Sequence, residues 1–217
     1  MPKAFSEAEK EIIRRKLLEQ GYKQFSVYGL KKTNIDELAA AAGISKGAFY
    51  IFYESKEALF LDVAKMAENQ FRQQMLAVVD LPGESSRARL SAVFKKTLSL
   101  WKTIPMLQLF TSGDLEVLFR RIPAEKLRAH LQADDVFMQQ LITRCQQAGI
   151  PICRGANEIM GLLYAILLTT LHKTDFDPKF METVDVLIEL VSAYCLGEIE
   201  LHNSNSFIPL VASKLEE

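Results

Sequence analysis

Apolar residues recur every three or four positions along most of this 217-residue chain, which is the spacing of one face of an α-helix. In the first block, Ile13, Leu17, Gly21 and Phe25 form such a stripe. Proline and glycine fall between the periodic blocks, and no alternating strand pattern persists. The pattern therefore predicts an all-α protein.

Capping residues predict where the first two helices begin. Ser6 with Glu9, and Thr33 with Asp36, each have the spacing of a capping box, in which the two side chains satisfy free N–H groups at a helix start. Gly29 is expected to end the first helix region. Long helices are predicted further along at residues 56–79, 123–148, 156–172 and 178–196.

Residues 33–51 combine an amphipathic helix, a glycine turn and a very short helix. Gly43 stands where a left-handed C-terminal cap is expected, and Ser45 can cap the helix that follows. This is a helix-turn-helix layout, in which the second helix lies in the major groove and presents its N-terminal residues to base edges. The expected DNA contacts are Thr33, Ser45, Lys46, Gly47, Ala48, Tyr50, Ile51 and Lys56.

The composition of the short helix suits contact with DNA. Gly47 and Ala48 are small and allow close approach of the backbone, whereas Lys46 brings charge to the groove. The hydroxyl of Tyr50 can bind a phosphate, and Lys56 can neutralise another.

Three of these residues have other possible roles. Thr33 either caps its helix or meets a phosphate with its hydroxyl or its backbone N–H, and the two roles are compatible. Ile51 is a candidate for a thymine methyl group or a sugar edge. The segment GISKG around Ser45 also fits the G-x-S-x-G elbow of hydrolases. That elbow needs a strand before the serine, and an alanine-rich helix precedes it here, so a helix cap is the better interpretation.

The segment resembles the DNA-binding domain of the tetracycline-repressor (TetR) family over about residues 6–60. The matches in register are Phe25, Gly29, Thr33, Leu38, Ala39, Ala42, Gly43, Ile44, Ser45, Lys46, Gly47, Tyr50, Lys56 and Leu59. The resemblance implies a three-helix DNA-binding domain, a C-terminal domain that dimerises and holds a small-molecule pocket, and release of the operator when the ligand binds.

Four positions depart from the family pattern. Phe52 replaces the usual His or Tyr, which removes a polar phosphate contact, and Tyr53 replaces a Phe as either core or a substitute contact. Glu54 is acidic near the expected phosphates. Gly21 replaces a common Ala, which costs about 1 kcal/mol of helix propensity.

Charge and cysteine usage narrow the function class. Residues 1–56 hold 10 Lys and Arg against 7 Asp and Glu, whereas the remainder holds 16 against 20, so the basic excess is N-terminal. The three cysteines form no CxxC pair and are expected to be buried free thiols, and the three histidines lack a ligand pattern, so no metal or other cofactor is expected. The N-terminus has no apolar signal core, which predicts a cytoplasmic protein.

The C-terminal region carries two further hypotheses. A helix that is apolar nearly all round, followed by a second apolar stripe, predicts either an intrachain core or a two-fold, four-helix dimer interface. We favour the dimer, because a palindromic operator has two half-sites and therefore needs two DNA-binding domains. The interface candidates are Ile159, Leu163, Ile166, Leu187 and Val191, and the candidates for a ligand pocket are Trp101, Met106, Phe110, Phe137 and Tyr164.

The sequence thus predicts a helix-turn-helix DNA-binding domain at residues 1–55 and a larger helical effector-binding and dimerisation domain at residues 56–217. The expected function is that of a homodimeric repressor released from double-stranded operator DNA by a small apolar or amphipathic ligand. A regulator controlled by a protein partner is one alternative. A helical enzyme is another, which lacks any catalytic constellation in the sequence.

Overall fold

The computed structural model describes residues 5–108, 124–171 and 178–200, and these ranges contain helices and no strand. The all-α prediction is therefore confirmed. The helices are α1 (Glu7–Lys32), α2 (Ile35–Ala42), α3 (Lys46–Phe52), α4 (Lys56–Val79), α5 (Ser86–Thr103), α6 (Pro105–Gln108), α7 (Ala124–Gln147), α8 (Ala156–Leu171) and α9 (Pro178–Cys195).

Helix α1 begins with the capping box that the sequence predicted. The Oγ of Ser6 accepts a hydrogen bond from the backbone N–H of Glu9 at 3.3 Å, and the Glu9 carboxylate accepts from the N–H of Ser6 at 2.8 Å. At Gly29 the backbone turns to φ 70°, and helical geometry then resumes to Lys32. Gly29 therefore kinks the helix rather than ending it, and its positive φ explains the glycine.

The second capping box was predicted at the wrong residue. Asn34 caps α2, with its Oδ1 accepting from the N–H of Asp36 at 2.8 Å. The Thr33 hydroxyl instead donates to the carbonyl oxygen of Gly29 at 2.7 Å. The kink at Gly29 leaves that carbonyl for a side chain to satisfy, and Thr33 does so from a buried position.

The first three helices form the N-terminal head, and α4 continues from it. Helix α1 packs against both α2 and α4, and α2 packs against α3. Phe25, Leu38 and Phe49 are fully buried in this head. The short helix α6 packs against α1 and α4, and its Met106 is fully buried. Met106 thus lies where the head meets the rest of the chain.

The remaining helices form the C-terminal body. Helix α5 packs between α4 and α9, whereas α7 packs against α4 and α8. The buried residues of these helices belong to one apolar core that is continuous with that of the head. Within the described residues, no helix combines the length and apolar character needed to cross a membrane.

Candidate nucleic-acid interface

The glycine turn and the cap fix the direction of α3. Gly43 adopts φ 80° at the end of α2, and the Oγ of Ser45 accepts from the N–H of Ala48 at 3.2 Å. Phe49 is fully buried and anchors the helix in the head. Because one face of this seven-residue helix is held by Phe49, the opposite face is turned outward.

The outward face of α3 carries the residues expected to meet DNA. The side chains of Tyr50 and Ile51 are 50% and 61% exposed. A Cβ added at Gly47 would have the Ser45 Oγ as its nearest neighbour at 3.9 Å, so the space above Gly47 is open. Tyr50 is steadied from behind by an edge contact with the Phe49 ring, at 5.6 Å between ring centroids.

Lys46 is held by a carboxylate on the preceding helix. Its Nζ lies 2.8 Å from the Oδ2 of Asp36, and both side chains are more than half exposed. The hydrogen bond to Asp36 raises the pKa of Lys46 above its ordinary value. The ammonium group is therefore charged and positioned beside the start of α3.

A shallow depression of about 380 Å³ runs beside α3, and we call it the basic groove. Four lysines and the residues at the start of α2 line it, so several cations and a helix start share one concave surface. This combination favours phosphate. The residues of the basic groove are Lys31, Lys32, Thr33, Asn34, Ile35, Lys46, Tyr50 and Lys56.

Lys56 joins the head to α4. Its Nζ donates to the carbonyl oxygen of Thr33 at 2.7 Å and to that of Lys31 at 3.3 Å. These carbonyls are at the C-terminal end of α1, where a cation is electrostatically favourable. Lys56 therefore has a structural contact in addition to the phosphate role expected from the sequence.

The structure changes the expectation for Thr33. Its side chain is only 3% exposed and its hydroxyl is bonded to Gly29, so the hydroxyl is not available to a phosphate. Lys31 and Lys32 were missed by the sequence reasoning. Their signal was a pair of basic residues at the end of α1, next to the turn that leads into α2.

The aromatic residues after Tyr50 belong to the core of the head. Phe52 is half-buried against Phe5, at 5.7 Å between ring centroids. Tyr53 is 9% exposed, and burial, followed by the neighbouring carboxylate of Asp62, raises its pKa. Tyr53 was expected to be either a core residue or a substitute phosphate contact, and the structure supports the core residue.

An apolar cavity of about 60 Å³ lies in the C-terminal body, and we call it the body cavity. The Thr97 hydroxyl and the Cys145 thiol are the polar groups among its lining residues. The lining is Phe71, Met75, Leu90, Val93, Phe94, Thr97, Phe137, Met138, Leu141, Ile142, Cys145, Ile152, Ile159 and Leu163.

The body cavity includes one of the five residues expected to line a pocket. Phe137 lines it, whereas Met106 is buried at the junction with the head and Trp101 is half-buried outside the lining. Tyr164 is 53% exposed, because it projects from the outward face of α8. Phe110 lies outside the described residues.

The expected interface residues fall into two groups. Ile159 and Ile166 are buried within the chain, because the inward face of α8 packs on the core. Leu163 and Val191 are half-buried, and Leu187 is 36% exposed. The exposed apolar side chains of these two helices are Tyr164 on α8 and Met181, Val186, Leu187 and Leu190 on α9, so Leu187 is the expected interface residue among them.

In the part of the chain that the structure describes, no cluster of three or more His, Cys, Asp or Glu side chains has the arrangement of a metal site. Ser45 follows a helix and a glycine turn rather than a strand, as the sequence predicted. Its hydroxyl is a helix cap.

Comparisons with known proteins agree with this geometry. Residues 17–63 match the model of the bacterial regulatory proteins of the tetR family. The HTH-type transcriptional regulator YuxN of Bacillus subtilis is 32% identical over 85 residues, which are 38% of this chain and 29% of YuxN. The regulator AcrR of Shigella flexneri is 31% identical over 61 residues, or 28% of each chain. Both matches thus cover less than a third of the relative.

Solved structures extend the likeness to most of the chain. A transcriptional regulator from Cytophaga hutchinsonii has a TM-score of 0.58 at 24% identity, over 85% of this chain and 97% of that one. A TetR-family regulator from Streptomyces coelicolor has a TM-score of 0.59 at 19% identity, over 86% and 97%. At these identities the likeness establishes the fold.

The fold and the outward face of α3 define a helix-turn-helix protein with a helical C-terminal domain. Over residues 17–63 the chain is similar to the bacterial regulatory proteins of the tetR family, and its fold is that of solved TetR-family regulators.

Proposed function

We propose that this protein is a sequence-specific transcriptional regulator that binds operator DNA through α3 and the basic groove. The observation that carries the proposal is the exposed face of α3 beside four lysines. On docking, Gly47 and Ala48 approach the base edges and Ile51 meets an apolar edge, while Tyr50 and the lysines contact phosphates. We propose the domain division expected from the sequence, with a DNA-binding domain at residues 1–55 and an effector-binding and dimerisation domain at residues 56–217, and with Lys56 at their junction.

The DNA-binding proposal is tested by selecting the sequences that the protein binds from random duplex DNA. The affinity for the most enriched sequence is then measured as a function of salt concentration. Tyr50→Ala is expected to weaken binding about 10- to 100-fold, since it removes a hydrogen bond to a charged phosphate. Tyr28→Ala is the matched control, because Tyr28 is 55% exposed but is not part of the basic groove. Equal affinities of the two variants and the wild type would contradict the proposed role of α3.

Two lysine variants distinguish a side chain that contributes to sequence selectivity from one that only holds the protein on the phosphate backbone. Lys46→Ala is expected to weaken binding and reduce selectivity. Lys56→Ala is expected to weaken binding to all sequences and to lower the salt slope by about 1 per head. An unchanged slope for Lys56→Ala would leave Lys56 with only its structural contact to Thr33 and Lys31.

We propose further that the protein is a homodimer that binds a roughly palindromic operator. An exposed apolar face of α9 supports this, since Val186 is 57% exposed and Leu190, four residues later on the same side of the helix, is 50% exposed. A second copy that covers this face removes that surface from water and places two heads on two half-sites. Because these side chains are already about half covered in one chain, their burial in the dimer contributes about 1 kcal/mol each.

The dimer proposal is tested by sedimentation. Leu190→Glu is expected to give a monomer that stays helical and loses affinity for the palindrome while it still binds a half-site weakly. Leu81→Glu is the matched control, because Leu81 is 55% exposed in the segment between α4 and α5. A Leu190→Glu protein that sediments like the wild type would rule out this face.

We propose that a small apolar or amphipathic ligand enters the body cavity and releases the DNA. The apolar lining supports an apolar ligand, and the proximity of Met75 on α4 supports coupling to the head. The ligand must bind the DNA-incompetent shape more tightly than the competent one. Because about 60 Å³ holds only a few heavy atoms, a larger ligand must separate the helices around the cavity.

Benzene is a suitable first probe of the body cavity. It is expected to raise the unfolding midpoint and to shift the DNA affinity of the wild type. Leu141→Phe, which fills the cavity, is expected to abolish both effects, whereas Leu81→Phe at the exposed loop position keeps them. A DNA affinity that no apolar probe alters would favour control by a protein partner instead.

A further inference from the structure

Two cysteines that are far apart in the sequence lie side by side at the C-terminal end of α9. The N–H of Cys153 donates to the carbonyl oxygen of Cys195 at 2.9 Å, and the Cys153 Sγ contacts the same oxygen at 3.2 Å. With standard bond lengths, one backbone N–H···O bond of 2.9 Å brings the Cα atoms of the two residues to roughly 5–6 Å from each other, and disulfides span Cα separations of about 4.4–6.8 Å.

The neighbouring residues hold this pair in register. Arg154 donates from its Nε to the carbonyl oxygen of Tyr194 at 3.2 Å, and its guanidinium lies 4.2 Å from the centre of the Tyr194 ring. A Cβ added at Gly197 would lie 3.1 Å from the Cys153 Sγ. The sulfur of Cys153 is therefore packed against the backbone of the chain that follows Cys195.

The two thiols differ in access to solvent. Cys153 is exposed, contrary to the sequence expectation that all three cysteines are buried, because its segment lies on the surface between α7 and α8. Cys195 is fully buried, and burial, with a contribution from the adjacent Cys153, raises its pKa to about 12. An exposed thiol beside a buried one is the arrangement of an attacking and a resolving cysteine.

We propose that Cys153 and Cys195 form a reversible intrachain disulfide when the protein meets a peroxide. The Cys153 thiol first loses its proton, and the thiolate attacks one oxygen of hydrogen peroxide. The O–O bond breaks, a sulfenic acid forms, and the departing hydroxide takes up the released proton as water. The Cys195 sulfur then attacks the sulfenic sulfur, so that the S–S bond forms, the S–O bond breaks and the departing hydroxide takes the Cys195 proton as water. Overall two thiols are oxidised and one peroxide is reduced to two waters.

Such a bond closes a chain segment that contains the whole of α8 and α9. Ile152, next to Cys153, lines the body cavity, so the bond restrains one wall of that cavity. The chemistry itself does not depend on DNA binding, and its test can succeed or fail independently of the proposed function.

The test is oxidation of the reduced full-length protein with hydrogen peroxide, followed by thiol counting and tryptic mass mapping. The wild type is expected to lose two of its three free thiols and to regain them with dithiothreitol. Cleavage after Arg144, Arg154, Lys179 and Lys214 puts Cys145 and Cys153 in one peptide and Cys195 in another. Cys145→Ser is therefore the background that assigns the link, and it is expected to oxidise as the wild type does.

Two further variants identify the roles. Cys153→Ser is expected to lose no thiol at the same peroxide dose, whereas Cys195→Ala is expected to accumulate a sulfenic acid at Cys153 that a 1,3-diketone reagent traps. Far-ultraviolet circular dichroism checks that each variant is folded. A link between Cys153 residues of two chains, a link to Cys145, or an absence of any link once Cys153 is consumed would overturn the proposal.

Discussion

Gly21 packs directly against Val63 and Leu59 of α4, and its replacement by Ala is a sharp test of the packing between α1 and α4. The sequence alone predicts that Ala stabilises the helix by about 1 kcal/mol, because Gly is a poor helix former. In the structure, however, a Cβ at this position would lie 2.9 Å from the Cγ2 of Val63 and 3.5 Å from the Cδ2 of Leu59. Both side chains are fully buried.

The steric cost outweighs the gain in propensity. Val63 is β-branched and strongly prefers one rotamer in a helix, so its methyl group cannot turn away cheaply. Overpacking of this kind typically costs about 1–3 kcal/mol. Subtraction of the propensity gain leaves an expected net destabilisation of about 1 kcal/mol for Gly21→Ala, with α1 displaced from α4.

Urea unfolding followed by circular dichroism at fixed protein concentration measures this difference. Gly47→Ala is the control, because an added Cβ there meets open space, and it is expected to be neutral or stabilising by up to about 1 kcal/mol. In a Val63→Ala background the clash is gone, so Gly21→Ala should become stabilising. A stabilising Gly21→Ala in the wild-type background would refute the reasoning.

Three further predictions concern a cap, a buried hydroxyl and a buried carboxyl. Ser45→Ala removes the acceptor for the N–H of Ala48 and is expected to cost about 1 kcal/mol in urea unfolding; an unchanged midpoint would argue against the cap. Thr33→Val leaves the Gly29 carbonyl without its 2.7 Å partner and is expected to cost about 1–3 kcal/mol by the same measurement, whereas Thr33→Ser should retain most of that bond. Burial, followed by Asp134, raises the pKa of Glu68 from 4.5 to about 7. The folded chain thus keeps a proton that the unfolded chain releases, so stability should fall by about 1–3 kcal/mol as the pH rises through this interval. Glu68→Gln should flatten that profile, and an identical profile in the variant would exclude Glu68 as its source.

The sequence predicted most of the head because the relevant signals are local. Ser6, Gly43 and Ser45 act on backbone groups within a few residues, so their caps could be placed without knowledge of the tertiary structure. The cap of α2 was misplaced because Thr33 responds to the kink at Gly29. That kink is a conformational feature which spacing alone does not reveal.

The sites in the body were harder to predict, because they depend on which way each helix is turned. The residue type of an apolar position on α8 does not reveal whether its side chain faces the core, the body cavity or solvent. Ile159 faces inward and Tyr164 faces outward, and only the packing of α8 against α7 and α9 decides between them. The contact between Cys153 and Cys195 likewise joins segments that no sequence motif connects.

Helix α4 offers a physical route between the proposed effector and the DNA. Its first residue, Lys56, holds the carbonyls at the end of α1 beside the basic groove, and Met75 near its other end lines the body cavity. Between them, Gly21 allows α1 to lie directly against Val63, so the head cannot keep its position if α4 moves. A ligand that pushes Met75 outward therefore acts on a helix that is tightly packed along its length, and such packing transmits displacement rather than absorbing it. On this reasoning Gly21→Ala, which separates α1 from α4, should weaken the effect of a ligand on DNA affinity more than it weakens either binding step alone.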